Sequence, residues 1–313
     1  MFANPIFLLF VAAVVATLVQ RVARSLFDTH RIGDAELQNT ISVVAYVGAG
    51  ESIVPYLALL RACRWPARVR LSLFKALAPD EAPDPAASAP NVRVSYRYGT
   101  GFDPAQERAR LLEHVHTQFV LLLAQPVDAA AGGWDETLIE ALARCDGAAR
   151  PVLTCMPPRT RDGNGTFLCV REDSRLVRRR YAYNPNVPLP SLFWSAGMSF
   201  SHTETLLPTA VAGDDLACTQ QLWTRGANFF SPPLAVFVAL AKPAVAPKRR
   251  VPTTATTTTA KNAAVRTQRE WQTFVGRKAN GQWTRRALVG VTPDASHQER
   301  YSKYGDEIML HGM

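Results

Sequence analysis

The chain reads as an α/β fold with a largely parallel sheet, and three features carry that reading. Short apolar runs recur between residues 41 and 155. Each gives way to a stretch with apolar residues at helical spacing, so strand and helix alternate instead of clustering. The chain has 313 residues, 47% apolar and 19% charged, which is long enough to bury a full core and too apolar for disorder.

The elements follow in order. Ile41 to Val47 (ISVVAYV) has no polar face and reads as a buried strand, with Gly48-Ala49-Gly50 turning after it. Ile53 to Arg64 carries apolar residues at helical spacing, and Val69 to Phe74 is a second strand. Ala78 to Asn91 is rich in Pro, Ala and acidic residues and reads as a surface loop. Val92 to Tyr96 alternates as a third strand. A helix is expected over Asp103 to Thr117, with Asp103 as N-cap and Pro104 at its first position. Phe119 to Leu123 (FVLLL) is a central strand, Trp134 to Arg144 an amphipathic helix, and Val152 to Cys155 a further strand. Thr166 to Val170 and Arg175 to Tyr183 alternate like a hairpin, and Asp214 to Arg225 reads as a helix ended by Gly226.

The ends differ from the body. Met1 to Gln20 has no charged side chain, and Pro5 to Val19 is apolar except for Thr17. This stretch is at the short end for a bilayer span. We expect a membrane anchor over 1–24 and a polar stem over 25–40. A cleaved signal peptide is the competing reading, but no basic region precedes the apolar run. Arg21 and Arg24 follow it, which by charge alone favours a cytosolic body. Residues 244–269 are Thr-rich and low in complexity, the pattern of a flexible linker between a domain over 41–243 and a helical extension over 270–313.

The formal net charge is +9, but 12 basic and 5 acidic residues lie from Ala244 onward, so most of the excess sits in the tail. With no basic platform interleaved with aromatics, nucleic acid is not an expected partner. The five cysteines contain no C-x-x-C pair, which excludes a zinc ribbon or thioredoxin-like motif. Their odd number excludes a complete disulfide framework, while one or two bridges stay open.

Open α/β sheets bind ligands beyond the carboxyl ends of their strands. Gly48 and Gly50, followed by Glu51, could let a phosphate approach the backbone, but they match neither a Walker A loop nor G-x-G-x-x-G, and a plain turn is the simpler reading. After the central strand come Gln125-Pro126-Val127-Asp128, where a metal-dependent nucleotide-sugar enzyme would place paired ligands. Gln125 and Val127 cannot serve. Asp214 and Asp215 stand where acids complement a helix dipole, or where a carboxylate orients an acceptor hydroxyl. Asn164-Gly165-Thr166 is a glycosylation sequon, relevant only in a lumen. Arg178-Arg179-Arg180 reads as a solvated face that could meet phosphate. His114, His116 and His202 belong to no readable catalytic arrangement.

Several short motifs occur in a set order: Gly133-Trp134-Asp135-Glu136 before an apolar helix; Pro151-Val152-Leu153-Thr154 with Pro157-Pro158; Phe193-Trp194-Ser195-Ala196-Gly197-Met198-Ser199-Phe200; Leu222-Trp223-Thr224-Arg225-Gly226; and Phe229-Phe230-Ser231-Pro232-Pro233. This string resembles the family of hydroxyproline and polypeptide α-N-acetylglucosaminyltransferases. The match runs from about Ile41 to about Pro243, with a weaker echo in Arg300 to Gly305. The resemblance implies a glycosyltransferase A-type fold with a nucleotide-binding first half and an acceptor-binding second half. It implies UDP-GlcNAc as donor, a divalent cation such as Mn²⁺, transfer with retention to Ser, Thr or hydroxyproline hydroxyls of a protein acceptor, and a single-pass type II protein of the secretory pathway, with the Golgi as the expected membrane. Carried over residue by residue, it points to Tyr46, Lys75, Trp134, Asp135, Trp194, Ala196 and Gly197 as substrate-binding and to Asp214 and Asp215 as catalytic.

The departures fall on the cation ligands. The family's metal motif aligns on Gln125, Pro126 and Val127, and a later metal-binding His aligns on Ala239. The Arg and Asp expected at the end of the first strand are replaced by Val47 and Gly48. No metal cofactor is therefore expected. Two readings follow: a metal-independent transferase that meets the diphosphate with Lys75, Arg108, Arg110 or the Arg178 to Arg180 run, or a catalytically inactive relative acting as a membrane-anchored binding or partner subunit of another glycosyltransferase.

Overall fold

The computed structural model describes residues 39–84, 89–99, 101–145, 148–160, 165–181, 185–206, 215–240, 266–278, 280, 282–284 and 287. The expected anchor, the stem up to residue 38, Asn164, Asp214, residues 241–265 of the linker region and the chain beyond residue 287 lie outside them.

Four of the expected strands form one parallel block: β1 (Ile41–Val47), β2 (Val69–Leu77), β3 (Val92–Tyr98) and β4 (Phe119–Leu123). β2 pairs β1 from Ile41 opposite Val69 to Val47 opposite Lys75, and β4 lies on the other side of β1. β1 and β4 are buried on both faces, which is why they read as unbroken apolar runs. Crossovers α1 (Val54–Ala62) and α2 (Pro104–Leu112) connect them. Asp103 caps α2 by accepting from the Ala105 amide at 2.9 Å, as the sequence implies. The helix stops short of Thr117, however. The amides of His114 and Val115 bond the carbonyls three residues back, and this tightening turns the chain into β4.

The full sheet has eight strands in the order β3-β2-β1-β4-β10-β6-β11-β9. β6 (Pro151–Cys155) and β11 (Asn228–Ser231) run with the parallel block; β10 (Met198–His202) is inserted between β4 and β6 against them, and β9 (Leu189–Ser191) closes the far edge antiparallel to β11. A ribbon of β5 (Val127–Ala129) and β12 (Phe237–Ala239) and a hairpin of β7 (Thr166–Val170) and β8 (Leu176–Arg180) complete the strands.

Helices cover both faces. Val43, Ala45 and Val47 pack on one side with α1, α3 (Trp134–Ala143) and the β5/β12 ribbon. Val44, Val120 and Leu122 pack on the other with α2, α5 (Asp215–Thr224) and α6 (Gln268–Val275). α4 (Thr203–Leu206) is a single turn after β10. α6 begins just inside the stretch expected to be linker. Thr267 and Glu270 form a reciprocal capping box, and Trp271 and Val275 join the core, so this part of the extension packs onto the domain.

Candidate functional site

Because β1, β2, β4, β6 and β11 run the same way, their carboxyl ends open at one edge of the sheet, where ligands of open α/β sheets bind. Three groups of residues meet there.

The first group closes the glycine turn. Lys75 is 3% exposed, and its Nζ donates to the Glu51 carbonyl and to Glu81 Oε1, each at 2.5 Å. The other Glu81 oxygen accepts from the Gly50 and Ala78 amides at 3.0 Å, and Glu51 Oε2 accepts from the Gly48 amide at 3.0 Å. The amides that could have cradled a phosphate are thus occupied by the chain's own carboxylates. Lys75, expected to bind substrate, is held here as a clamp between two of the chain's own oxygens. The Lys75 hydrogen bond, and then the Ala78 amide, hold the Glu81 carboxyl down at about 2 against an ordinary 4.5. A carboxylate depressed in the folded state contributes stability that is full above its unfolded pKa and lost as pH falls through the folded one. The stability difference between wild type and Glu81→Gln is therefore expected to be largest above pH 4.5 and to close toward pH 2, as read by denaturant titration across that window.

The second group occupies the metal-motif positions. The ribbon register sets Val127 directly opposite Ala239, and the Leu240 amide donates to the Pro126 carbonyl at 3.1 Å. The Ala239 amide donates to the Pro158 carbonyl at 2.7 Å. The positions aligned with the family's ligands do converge, beside the exits of β4 and β6, but Val127 and Ala239 offer no donor atom. Among the described residues no three His, Cys, Asp or Glu side chains cluster. These residues do not fit a divalent cation.

The third group is a pinned loop, Trp194 to Gly197, entering β10. Trp194 is fully buried; its Nε1 donates to Ser199 Oγ at 2.7 Å and its amide to Thr219 Oγ1 at 3.0 Å. The Ser195 amide donates to Thr154 Oγ1 at 2.9 Å. Asp215, at the start of α5, accepts from Ser195 Oγ at 2.8 Å and from the Ala196 amide at 3.3 Å. A Cβ at Gly197 would stand 3.2 Å from the Cys155 carbonyl oxygen, so the loop runs close against the end of β6 there. The structure thus brings Trp194, Ala196, Gly197 and Asp215 together.

It does not bring Trp134 and Asp135 there. α1 runs back from the exit of β1 to the start of β2, and both residues are bonded to its far end. Trp134 Nε1 donates to the Leu59 carbonyl at 2.8 Å; the Asp135 carboxylate accepts from the Arg64 and Trp65 amides at 2.6 and 2.9 Å. Expected to bind substrate, both are tied by these bonds to the chain around the end of α1, away from the strand exits. Asp135→Ala strands two amides and is expected to cost about 2–4 kcal/mol by denaturation, with nucleotide affinity unchanged in the folded variant.

The arginines sort by environment. Arg110 is exposed and paired with Glu107 at 2.7 Å. Arg178 donates to the Pro157 carbonyl and Arg180 to Thr160 Oγ1, so this run braces the loop after β6 and is not a purely solvated face. Burial lowers the Arg178 pKa, and Arg159 and Arg180 lower it further by repulsion. Arg108, on α2 opposite α5, is the exception. It is 7% exposed, and its Nε has no hydrogen-bond partner among the described residues. Burial lowers its pKa, and the charge of Asp215 is the largest opposing influence. Nothing in its sequence neighbourhood marks it out, because Glu107, Arg108 and Arg110 stand close together on α2 and only the fold decides which arginine is covered. Tyr46 lies at the end of β1, stacked on Phe74 with centroids 5.6 Å apart; burial, then Glu51 and Glu107, raise its phenol pKa. All five cysteines are buried free thiols, and burial pushes Cys155 up to about 12.

No protein-family model matches the chain, and no curated protein matches it. Among solved structures it is similar to Staphylococcus aureus TarS residues 1–349 in complex with UDP-GlcNAc, at 15% identity and a TM-score of 0.40. The likeness covers 66% of this chain and 60% of that one. The chemistry therefore rests on this chain's own residues.

Proposed function

We propose that this is a glycosyltransferase-like domain of the A type whose strand-exit crevice takes a UDP-sugar, UDP-GlcNAc by resemblance, without a divalent cation. Its acceptor would be a protein Ser, Thr or hydroxyproline hydroxyl. The observation that carries the reading is Arg108: a buried guanidinium on α2 whose Nε is unpaired among the described residues and which feels the charge of Asp215 at the start of α5. A buried cation whose hydrogen bonding is incomplete is costly. A diphosphate would supply the missing acceptor, and the cation would in turn stabilise charge on that leaving group. The pinned Trp194 to Gly197 loop and the Asp215 carboxylate form the neighbouring wall, where an acceptor hydroxyl would be oriented.

The occupied glycine turn favours a second reading, an inactive relative that binds a partner. Glu81 accepts from two backbone amides and one lysine, the donor set a nucleotide phosphate would need. Calorimetric titration with UDP and UDP-GlcNAc, with and without Mn²⁺, separates the two. Heat that is independent of Mn²⁺, accompanied by UDP release from UDP-GlcNAc, supports the transferase. No heat under any condition leaves the binding subunit. Binding that requires Mn²⁺ would contradict the placement of Val127 and Ala239.

A further inference from the structure

We propose that the amino-terminal edge of the sheet, opposite the crevice, docks on a membrane surface bearing anionic lipids. Residues 61–70 contain Arg61, Arg64, Arg68 and Arg70 and no carboxylate, and all four arginines are exposed. Among them stands Trp65, 48% exposed, whereas the other five tryptophans are buried. The guanidinium carbons of Arg64 and Arg68 lie 5.6 and 5.3 Å from its ring centroid.

This turn is held in place, not frayed. Asp135 fixes the Arg64 and Trp65 amides from beneath, and Asn91 Nδ2 donates to the Pro66 and Val69 carbonyls at 3.2 and 3.0 Å. The fold therefore presents an indole to solvent on a rigid support, with two cations against it. Complementing a helix dipole accounts for Arg61, in the last turn of α1. It does not account for Arg64 and Arg68; Arg150, exposed in the loop before β6 at the same edge, donates to the Arg225 carbonyl just beyond α5 at 3.1 Å.

The chemistry suits a phospholipid headgroup layer. Indole rings settle at the headgroup level, arginine forks grip phosphate, and clustered basic residues are drawn to anionic lipid. The place where the chain enters the domain also favours lipid. Thr40 lies at this edge, its carbonyl accepting from the Phe119 amide at 2.9 Å, and the residues before it include the apolar run Pro5 to Val19. Stable membrane attachment commonly combines an apolar insertion with a basic surface. One aromatic ring is too few for a stacking platform, which disfavours single-stranded nucleic acid. The inference is independent of the sugar-transfer reading.

Because the other tryptophans are buried, Trp65 is its own reporter. The full chain is mixed with phosphatidylcholine vesicles, or with vesicles in which part of that lipid is replaced by phosphatidylserine, and acrylamide quenching is followed. Phosphatidylserine vesicles are expected to shift the emission to the blue and protect it from quencher; Trp65→Phe abolishes the change. R64Q/R68Q, with an unchanged melting profile, is expected to raise the lipid concentration for half-response roughly thirtyfold. An equal response to pure phosphatidylcholine would assign attachment to the apolar segment alone and overturn the proposal. So would an unresponsive Trp65, or a response to polyuridylate that excess phosphatidylserine vesicles fail to displace.

Discussion

Replacing Arg108 by methionine is expected to stabilise the unliganded domain and to remove its response to UDP. The two effects have one cause. A guanidinium 7% exposed, with Nε unpaired among the described residues, gives up hydration at that nitrogen without a described replacement. Exchanging buried charge for an apolar side chain of similar length gains about 1–3 kcal/mol, which for a domain of this size raises Tm by several degrees. Losing a buried, charge-assisted contact to phosphate costs binding about a hundredfold or more. Arg110→Met serves as the control. That residue is half exposed and already paired with Glu107, so its removal is expected to change neither quantity by more than a few tenths of a kcal/mol. A variant R108M that melts lower than wild type, or binds UDP equally well, would show that the arginine is structural.

Gly165→Ala is expected to be the most damaging glycine-to-alanine change among the described residues. A Cβ at residue 165 would lie 2.7 Å from the carbonyl oxygens of both Pro232 and Pro233 and 2.9 Å from the Pro233 carbonyl carbon. These are backbone atoms of a proline pair, so no side-chain rotation relieves the overlap, and the Gly165 carbonyl is also tied to the Tyr181 amide at 3.1 Å. A loss of about 3 kcal/mol, or a fall in Tm of roughly 6–12 °C, is the expected result of such overpacking. Gly197→Ala, whose nearest atom would be 3.2 Å away, is expected to cost about 1 kcal/mol. The reverse order of severity would mean that the segment after β11 yields more easily than the loop before β10.

Parts of this molecule are legible without a structure because their signals are local. ISVVAYV and FVLLL have no polar face, are short and rich in β-formers, and so read as strands buried on both sides, as they are. Asp103 and Pro104 fix where α2 begins within three residues of backbone. β10 is harder. Met-Ser-Phe-Ser-His alternates like a strand with one wet face, yet both faces are buried. Its serines are accommodated because Trp194 donates to Ser199 and Ser201 donates to the Pro151 carbonyl at 2.7 Å. Those partners come from other segments, and local spacing carries no trace of them. β5 and β12 are three residues each, and they are strands because they pair with one another across about a hundred residues of chain, beyond the reach of local spacing.

The same division runs through the candidate site. Residue types alone say that Val127 and Ala239 offer no side-chain ligand atom to a divalent ion wherever the chain places them, and that Gln125 offers only a neutral amide oxygen. They do not settle which cations are free to act, because a charge is defined by its surroundings as much as by its side chain. Lys75 and Arg108 look interchangeable as letters. Folding gives Lys75 two oxygen partners at 2.5 Å and leaves Arg108 covered with Nε unpaired, since contacts between segments far apart in the chain decide both desolvation and pairing.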